Sequence, residues 1–225
     1  MKMLKKLTAE FLGSLLLAAS VVGSGIMATT LTQDIAIQLF INTITTVFML
    51  FVIITLFSSI SGAHFNPLVT IVELFYKRVT IQEAALFIVM QVIGTSAGVV
   101  LANLMFDKPA IEPSTFTRSG SYLFLAEVVA TAGLILSILL LRHQNKGSMA
   151  AVIVPAWIGA AYIFTSSTSF ANPAITFARS LSESFAGIAL ESVPMFILAQ
   201  CLGAVLGVLL VALLTTEKKD KNVIA

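Results

Sequence analysis

The sequence is poor in charge. Charged residues make up 11% of the 225-residue chain, against about 25% in an ordinary soluble domain. The hydrophobic share of 58% cannot be buried in one soluble core, because a domain of this length keeps roughly a quarter or more of its unfolded surface in water. These values exclude a soluble globular domain and a disordered chain. With a formal net charge of only +2, they also exclude a nucleic-acid partner and indicate a lipid bilayer.

Side chains for covalent or metal chemistry are equally scarce. The single cysteine, Cys201, excludes an internal disulfide framework and any CxxC metal or redox site. Two histidines and few carboxylates leave little material for a catalytic constellation. We therefore predict no enzyme activity, no catalytic residue, no cofactor and no bound metal.

What the chain has instead is long uncharged runs, the sixth of them interrupted only by Glu127. About 20 apolar residues cross a bilayer as a helix. The first run is longer than the apolar region of a signal peptide and contains Glu10. We predict six membrane spans, near residues 7–28, 36–57, 82–105, 121–141, 149–167 and 193–214.

The distribution of Lys and Arg predicts the orientation. Six spans return both chain ends to one side of the membrane, and that side carries ten Lys or Arg residues. The other side carries only Lys108, Arg118 and Arg179. By the positive-inside rule, both termini are predicted to be cytoplasmic, in the plasma or inner membrane. We expect the charged tail, 218–225, to be mobile.

Two of the uncharged runs, 35–72 and 147–178, exceed one span by ten or more residues. Each ends in Asn-Pro followed by an apolar turn, at Asn66 and Asn172. Asn is a preferred N-cap, and Pro suits the first helical position. Each excess segment therefore predicts a hairpin and a short helix of about three turns. Because non-helical backbone is tolerated at membrane depth only inside protein or against water, a water-filled path is predicted.

The two halves of the chain repeat each other. Gln91 and Gln200 each begin a Gln-x-x-Gly-x-x-x-Gly pattern, and Glu10 in the first half matches Glu127 in the second. Three spans per half require inversion of the second half. We predict one channel domain, 1–225, with inverted repeats at about 7–105 and 121–214 and half-helix N-termini that meet near the midplane.

These motifs resemble those of the aquaporin and aquaglyceroporin (major intrinsic protein) family. The resemblance rests on the two Asn-Pro boxes and on Ala-Glu-Phe-Leu-Gly at 9–13. It implies an all-α membrane protein with six transmembrane helices and two re-entrant half-helices, arranged as two inverted three-helix repeats. It also implies a homotetramer that passes water and small neutral solutes passively. The implied pore centre consists of Asn66, Pro67, Leu68, Asn172, Pro173 and Ala174.

The resemblance also implies a four-residue selectivity constriction. Counting from the boxes places it at Thr46, Ala160, Ser169 and Ile175, with Ile175 where most family members have Arg. Small side chains and one Ile predict a wider, less polar opening. We expect solutes such as glycerol-like polyols or uncharged metalloid hydroxides, with a water-selective channel as the alternative.

For three further pore residues, the sequence leaves two interpretations open. Arg179 either lines the outer vestibule and partly replaces the missing Arg, or lies at the interface and extends to water. His64 either lines the pore or packs the loop. Leu68 either packs against the opposing half-helix or narrows the centre.

The buried carboxylates Glu10 and Glu127 are predicted to hold the loops, together with Gln91 and Gln200. Their matching positions favour this structural role over proton transfer in a proton-coupled secondary transporter, the remaining alternative. Because the half-helix N-termini carry partial positive charge, ions and protons are expected to be excluded.

Overall fold

A computed structural model describes residues 2–215, and the predicted mobile tail at 218–225 lies outside them. Within this range the chain forms eight α-helices and no named strand. They are α1 (Lys2–Leu31), α2 (Ile35–Phe57), α3 (Pro67–Phe75), α4 (Ile81–Met105), α5 (Ser121–His143), α6 (Ala150–Phe164), α7 (Pro173–Ala178) and α8 (Val193–Thr215). Short 3-10 turns at Gly147–Met149 and Leu190–Ser192 precede α6 and α8.

Six helical segments are long and apolar enough to cross a membrane: α1, α2, α4, α5, α6 together with the 3-10 turn at Gly147–Met149, and α8 together with the turn at Leu190–Ser192. This confirms the predicted all-α fold with six spans and two half-helices. The bounds agree within a few residues. The largest difference is at the first span, which begins at Lys2 rather than near residue 7, and the fifth span ends at Phe164 rather than near residue 167. The end of the bundle that carries Lys2 and Thr215 is called the terminal side below. The end that carries residues 106–120 is called the loop side.

Local capping starts the helices. The Asp34 carboxylate accepts from the Ala36 and Ile37 N–H groups at the start of α2, and the Thr80 hydroxyl accepts from the Glu83 N–H at the start of α4. Each of these bonds satisfies a first-turn N–H that has no partner within its helix.

The two half-helices differ in length. Asn66 caps the nine-residue α3, whereas α7 has six residues and tightens into a 3-10 turn at Arg179–Leu181. The prediction of about three turns is therefore too long for α7. The chain leaves the helix there to pair with the loop-side segment, whose Glu112 and Ser114 N–H groups donate to the Leu181 and Ser180 carbonyls.

Helix packing repeats between the halves. The helix α1 packs on α2 and α4, as α5 packs on α6 and α8. Each half-helix contacts α4 and α8, the last helix of its own half and that of the other, and the two half-helices contact each other. The half-helices are thus fixed between the two halves of the bundle.

Glycines make the closest of these helix contacts possible. A Cβ placed on Gly94 would lie 2.5 Å from the Phe11 carbonyl oxygen, and one placed on Gly203 would lie 2.5 Å from the Val128 carbonyl oxygen. Both carbonyls belong to backbone that cannot rotate away. The small residues therefore let α4 reach α1, and α8 reach α5, at backbone distance.

We expect Gly94→Ala and Gly203→Ala each to destabilise the protein by about 1–3 kcal/mol, the usual cost of overpacking. Thermal unfolding in detergent, followed by size exclusion, measures the loss. Gly147→Ala is the matched control, because nothing lies within 4 Å of a Cβ at Gly147. If Gly94→Ala and Gly203→Ala were as stable as the wild type and Gly147→Ala, the proposed close contacts would be contradicted.

Candidate functional site

A cavity of about 460 Å³ runs between the two halves. At the terminal side it is lined by Ser58, Arg142 and Gly147, and at the loop side by Tyr162 and Arg179. Apolar side chains of the long helices form much of its wall: Leu17, Val21, Leu50, Ile54, Leu134, Ile138, Val154 and Ile158. The cavity therefore extends along the bundle and passes between the half-helix loops.

The two Asn side chains meet at the middle of this cavity. Asn66 Nδ2 donates to the Ala171 carbonyl and Asn172 Nδ2 to the Phe65 carbonyl, both at 2.8 Å. Each Oδ1 accepts from its own half-helix, that of Asn66 from the Leu68 N–H at 2.9 Å. The amides thus cap the helices and tie the two loops together, which leaves each amide one N–H rather than two for a solute.

Both loops hold non-glycine residues in the left-handed backbone region. Three pairs at matching positions share this conformation: Gly62 with Thr168, Ala63 with Ser169, and Phe65 with Ala171. The five non-glycine residues have φ between 46° and 61°, and such conformations cost on the order of 1–3 kcal/mol each unless the surroundings fix them. The loops therefore need strong anchors.

Two buried carboxylates supply these anchors. Glu10 accepts from the His64 and Phe65 N–H groups at 3.0 and 2.8 Å. Glu127 accepts from the Phe170 and Ala171 N–H groups, each at 2.9 Å. Each carboxylate is 0% exposed. Charge-assisted bonds to backbone N–H groups hold the loops in their strained conformation.

A glutamine and a threonine complete each anchor. Gln91 Nε2 donates to Glu10 and to Thr70 Oγ1. In the second half, Gln200 Nε2 donates to Glu127 and to Thr176 Oγ1 in the same way. Sequence reasoning gave no role to the two threonines. Each stands four residues after its box Asn, and that matching spacing could have identified them.

Three of the four predicted constriction residues line the cavity, namely Thr46, Ser169 and Ile175. Ala160 is a wrong assignment, since it lies on the exposed face of α6.

The inward face of α6 carries four other residues. Ala150, Val154, Ile158 and Tyr162 recur every four residues and line the cavity, so a position midway between Ile158 and Tyr162 points away from it. The Tyr162 hydroxyl lies 3.4 Å from Thr46 Oγ1. An aromatic ring therefore stands where a small side chain was predicted.

Leu68 does not narrow the pore. It is buried in an apolar cluster with Ile135, Leu139 and Ala204, which belong to α5 and α8. Neither Leu68 nor Ala174 is among the cavity-lining residues. Pro67 and Pro173 each occupy the first position of a half-helix. Of the six predicted pore-centre residues, only the two Asn side chains reach the lumen.

His64 both lines the pore and packs the loop. It lines the cavity, while its Nδ1 lies 3.0 Å from Thr70 Oγ1. Its ring stands edge-on to Phe87, with 5.3 Å between centroids. The imidazole is thus locked into the loop that presents it.

Two arginines lie close to the Phe170 ring at the loop side. The Arg179 Cζ lies 3.4 Å from the Phe170 ring centroid, and the Arg118 Cζ lies 5.2 Å from it. Arg118 Nε donates to the Gly187 carbonyl at 2.9 Å. Burial, and secondarily the charge of Arg179, lowers the pKa of Arg118 to about 9. Arg118 therefore remains cationic at neutral pH.

At the terminal side the cavity-lining Arg142 is paired with a carboxylate. The buried Glu73 carboxylate bonds Arg78 at 3.2 Å and Arg142 at 3.1 Å. This pairing joins the end of α3 to the end of α5. Of the two cavity mouths, only the terminal one has its arginine neutralised by a carboxylate within the part of the chain described here.

Two facing half-helices around a continuous cavity, inside six apolar helices, define a channel-type multi-pass membrane protein. The family model "Major intrinsic protein" matches residues 1–171 and 165–225. The chain belongs to the major intrinsic protein family.

Individual relatives agree with this assignment. The chain is 45% identical to the aquaglyceroporin AqpS of Rhizobium meliloti (strain 1021) over 89% of this chain and 86% of the relative. It is 26% identical to the probable aquaporin NIP7-1 of Arabidopsis thaliana over 92% and 75% of the two chains. The X-ray structure of the aquaglyceroporin from Plasmodium falciparum superposes with a TM-score of 0.66 at 18% identity, covering 91% of this chain and 93% of that one. That last likeness concerns the fold alone.

Proposed function

We propose that this chain is a passive channel for water and for neutral solutes of about glycerol's size, such as polyols or uncharged metalloid hydroxides. The observation that carries the proposal is that one part of the cavity wall is apolar and the other is polar. Long helices present Leu, Ile and Val, while the loops and the loop side present amide, imidazole and hydroxyl groups. A polyol can rest its carbon skeleton on the apolar wall and bond its hydroxyls to Asn66, Asn172 and Tyr162.

Exclusion of ions follows from the same geometry. The N-termini of α3 and α7 face each other through the two Asn caps, and each carries partial positive charge. Aquaporin-type pores are known to use such ends against cations and protons. We infer the same barrier here.

A proton-coupled transporter has less support. Its proton carriers would be Glu10 and Glu127, and each carboxylate already accepts two loop N–H groups and a glutamine amide. Those bonds support a role of both carboxylates in holding the loops. Family membership likewise favours a channel over an enzyme.

Stopped-flow light scattering on proteoliposomes tests the proposal. After shrinkage in glycerol or urea, vesicles with protein should re-swell faster than empty vesicles, and sucrose shrinkage should report water flux. Water flux without glycerol or urea flux would contradict the proposed solute class and favour a water-selective channel. Dependence of solute flux on a pH gradient, abolished by an uncoupler, would favour the transporter.

Assembly and orientation are proposed with the pore. The family resemblance supports a homotetramer with one pore per subunit, and the Lys and Arg bias supports cytoplasmic termini. Light scattering of the detergent-solubilised protein measures the number of subunits. Fluorescent-protein and alkaline-phosphatase fusions at the C-terminus report its side of the membrane.

A further inference from the structure

The loop side of the pore has a cation at an unexpected position. Ile175 occupies the place where the family pattern has Arg, and Arg179 lies four residues later. Residues four apart share a helix face, and both side chains line the cavity. A positive charge thus faces the same lumen about one turn closer to the loop-side mouth.

The Arg179 side chain is fixed in that place. It is 2% exposed, its Nε donates to the Ala186 carbonyl, and its guanidinium stacks on Phe170. An interfacial arginine that extends to water would be exposed at its tip. The structure thus favours the pore-lining interpretation.

One nitrogen of this guanidinium has no hydrogen-bond partner in the part of the chain that the structure describes. Arg179 Nη1 is buried and has no hydrogen-bond partner within residues 2–215, and the same holds for Ser169 Oγ. A buried polar group without a partner is costly, most of all on a charged side chain. Both residues border the cavity, and Nε is the guanidinium nitrogen that bonds the protein, at the Ala186 carbonyl. The guanidinium as a whole therefore keeps N–H capacity for an oxygen that enters from the cavity.

We infer that Arg179 is the specificity-determining cation of this pore, held by Phe170 and Ala186 so that its guanidinium binds an oxygen of an entering hydroxyl-bearing neutral solute and the charge repels cations. The inference rests on the proposed channel function. Together, Ile175 and Arg179 take the place of the single filter arginine of the family pattern. The apolar Ile175 leaves room at the constriction, and the charge acts from the next turn.

Two substitutions test Arg179. Arg179→Gln removes the charge, and Arg179→Lys keeps the charge but loses the planar fork that can stack on Phe170 and still donate to a solute. Lys108→Gln is the matched control, because it removes one positive charge on the same side from a residue paired with Glu112 at 2.6 Å and absent from the cavity lining. Each variant is used only as monodisperse protein reconstituted at equal density.

The readouts are glycerol and water flux, and uptake of methylammonium as a small cation. R179Q should raise methylammonium permeability about tenfold or more, as expected when an unscreened unit charge beside the path is lost. R179K should keep methylammonium out but change the ratio of glycerol to water flux about threefold or more, since the fork is gone. K108Q should match the wild type in both.

Two results would overturn the inference. One is R179Q with wild-type methylammonium exclusion and a wild-type flux ratio. The other is R179K with an unchanged ratio of glycerol to water flux. This second result is sufficient even if R179Q does not fold. A wild-type protein that passes no neutral solute would instead overturn the proposed function. The methylammonium readout keeps the two failures distinct.

Discussion

Ile175→Arg should reduce glycerol flux about tenfold or more, because a barrier increase of about 1.4 kcal/mol already has that effect on a rate. Ile175 is 4% exposed and lines the cavity together with Thr46 and Ser169. A guanidinium there fills the lumen and adds a second buried cation one turn from Arg179. Water, which is smaller, should lose less of its flux.

Stopped-flow glycerol and water fluxes at equal protein density measure this effect. Ile175→Leu is the control, because a swap that conserves volume costs less than about 1.5 kcal/mol and adds no charge. It should retain the wild-type ratio of glycerol to water flux. Unchanged glycerol permeability in I175R would show that Ile175 does not lie at the narrow part of the pathway.

The architecture could be predicted because its signals are local and occur twice. Asn66-Pro67 and Asn172-Pro173 combine an N-cap with the residue favoured at the first helical position, so the start of each half-helix follows from two adjacent residues. Glu10 and Glu127 are ionisable groups inside apolar runs, which need an internal partner. Their matching positions indicated the loops as that partner.

The constriction could be predicted only in part, because counting residues assumes a loop of fixed length. The helix α6 ends at Phe164, so the loop to Asn172 is longer than the predicted span allowed. A shift of two residues in a helix moves a side chain by more than half a turn. That shift replaces Ala160 with Tyr162 on the inward face.

The left-handed backbone of the non-glycine loop residues had no signal in the sequence. Ala63, Phe65 and Ala171 adopt left-handed φ, although a side chain disfavours that region. The conformation is imposed by tertiary contacts: the carboxylate anchors, and the bonds from Asn66 and Asn172 to the opposite loop. These contacts join residues 43 to 107 positions apart, and contacts at such separations cannot be derived from local propensity.

The largest loss of stability together with flux is expected for Glu127→Gln. Three donors converge on this carboxylate: the Phe170 and Ala171 N–H groups and Gln200 Nε2, the last at 2.6 Å. An amide offers one oxygen, and its NH₂ faces a donor. At least one buried N–H then loses its acceptor, at about 1–3 kcal/mol, and the strained loop loses its anchor. Glycerol and water flux should both fall.

Glu191→Gln is the control for this substitution. It makes the same chemical change at an exposed loop-side carboxylate that accepts from Thr117 Oγ1 at 3.3 Å. Its stability should stay within about 0.5 kcal/mol of the wild type, as is usual for surface substitutions. Thermal unfolding and stopped-flow flux measure both variants. If E127Q kept wild-type stability and passive flux but made solute flux insensitive to a pH gradient, Glu127 would be a proton carrier. Joint loss of stability and flux, without any pH-gradient dependence in the wild type, assigns it to the loop.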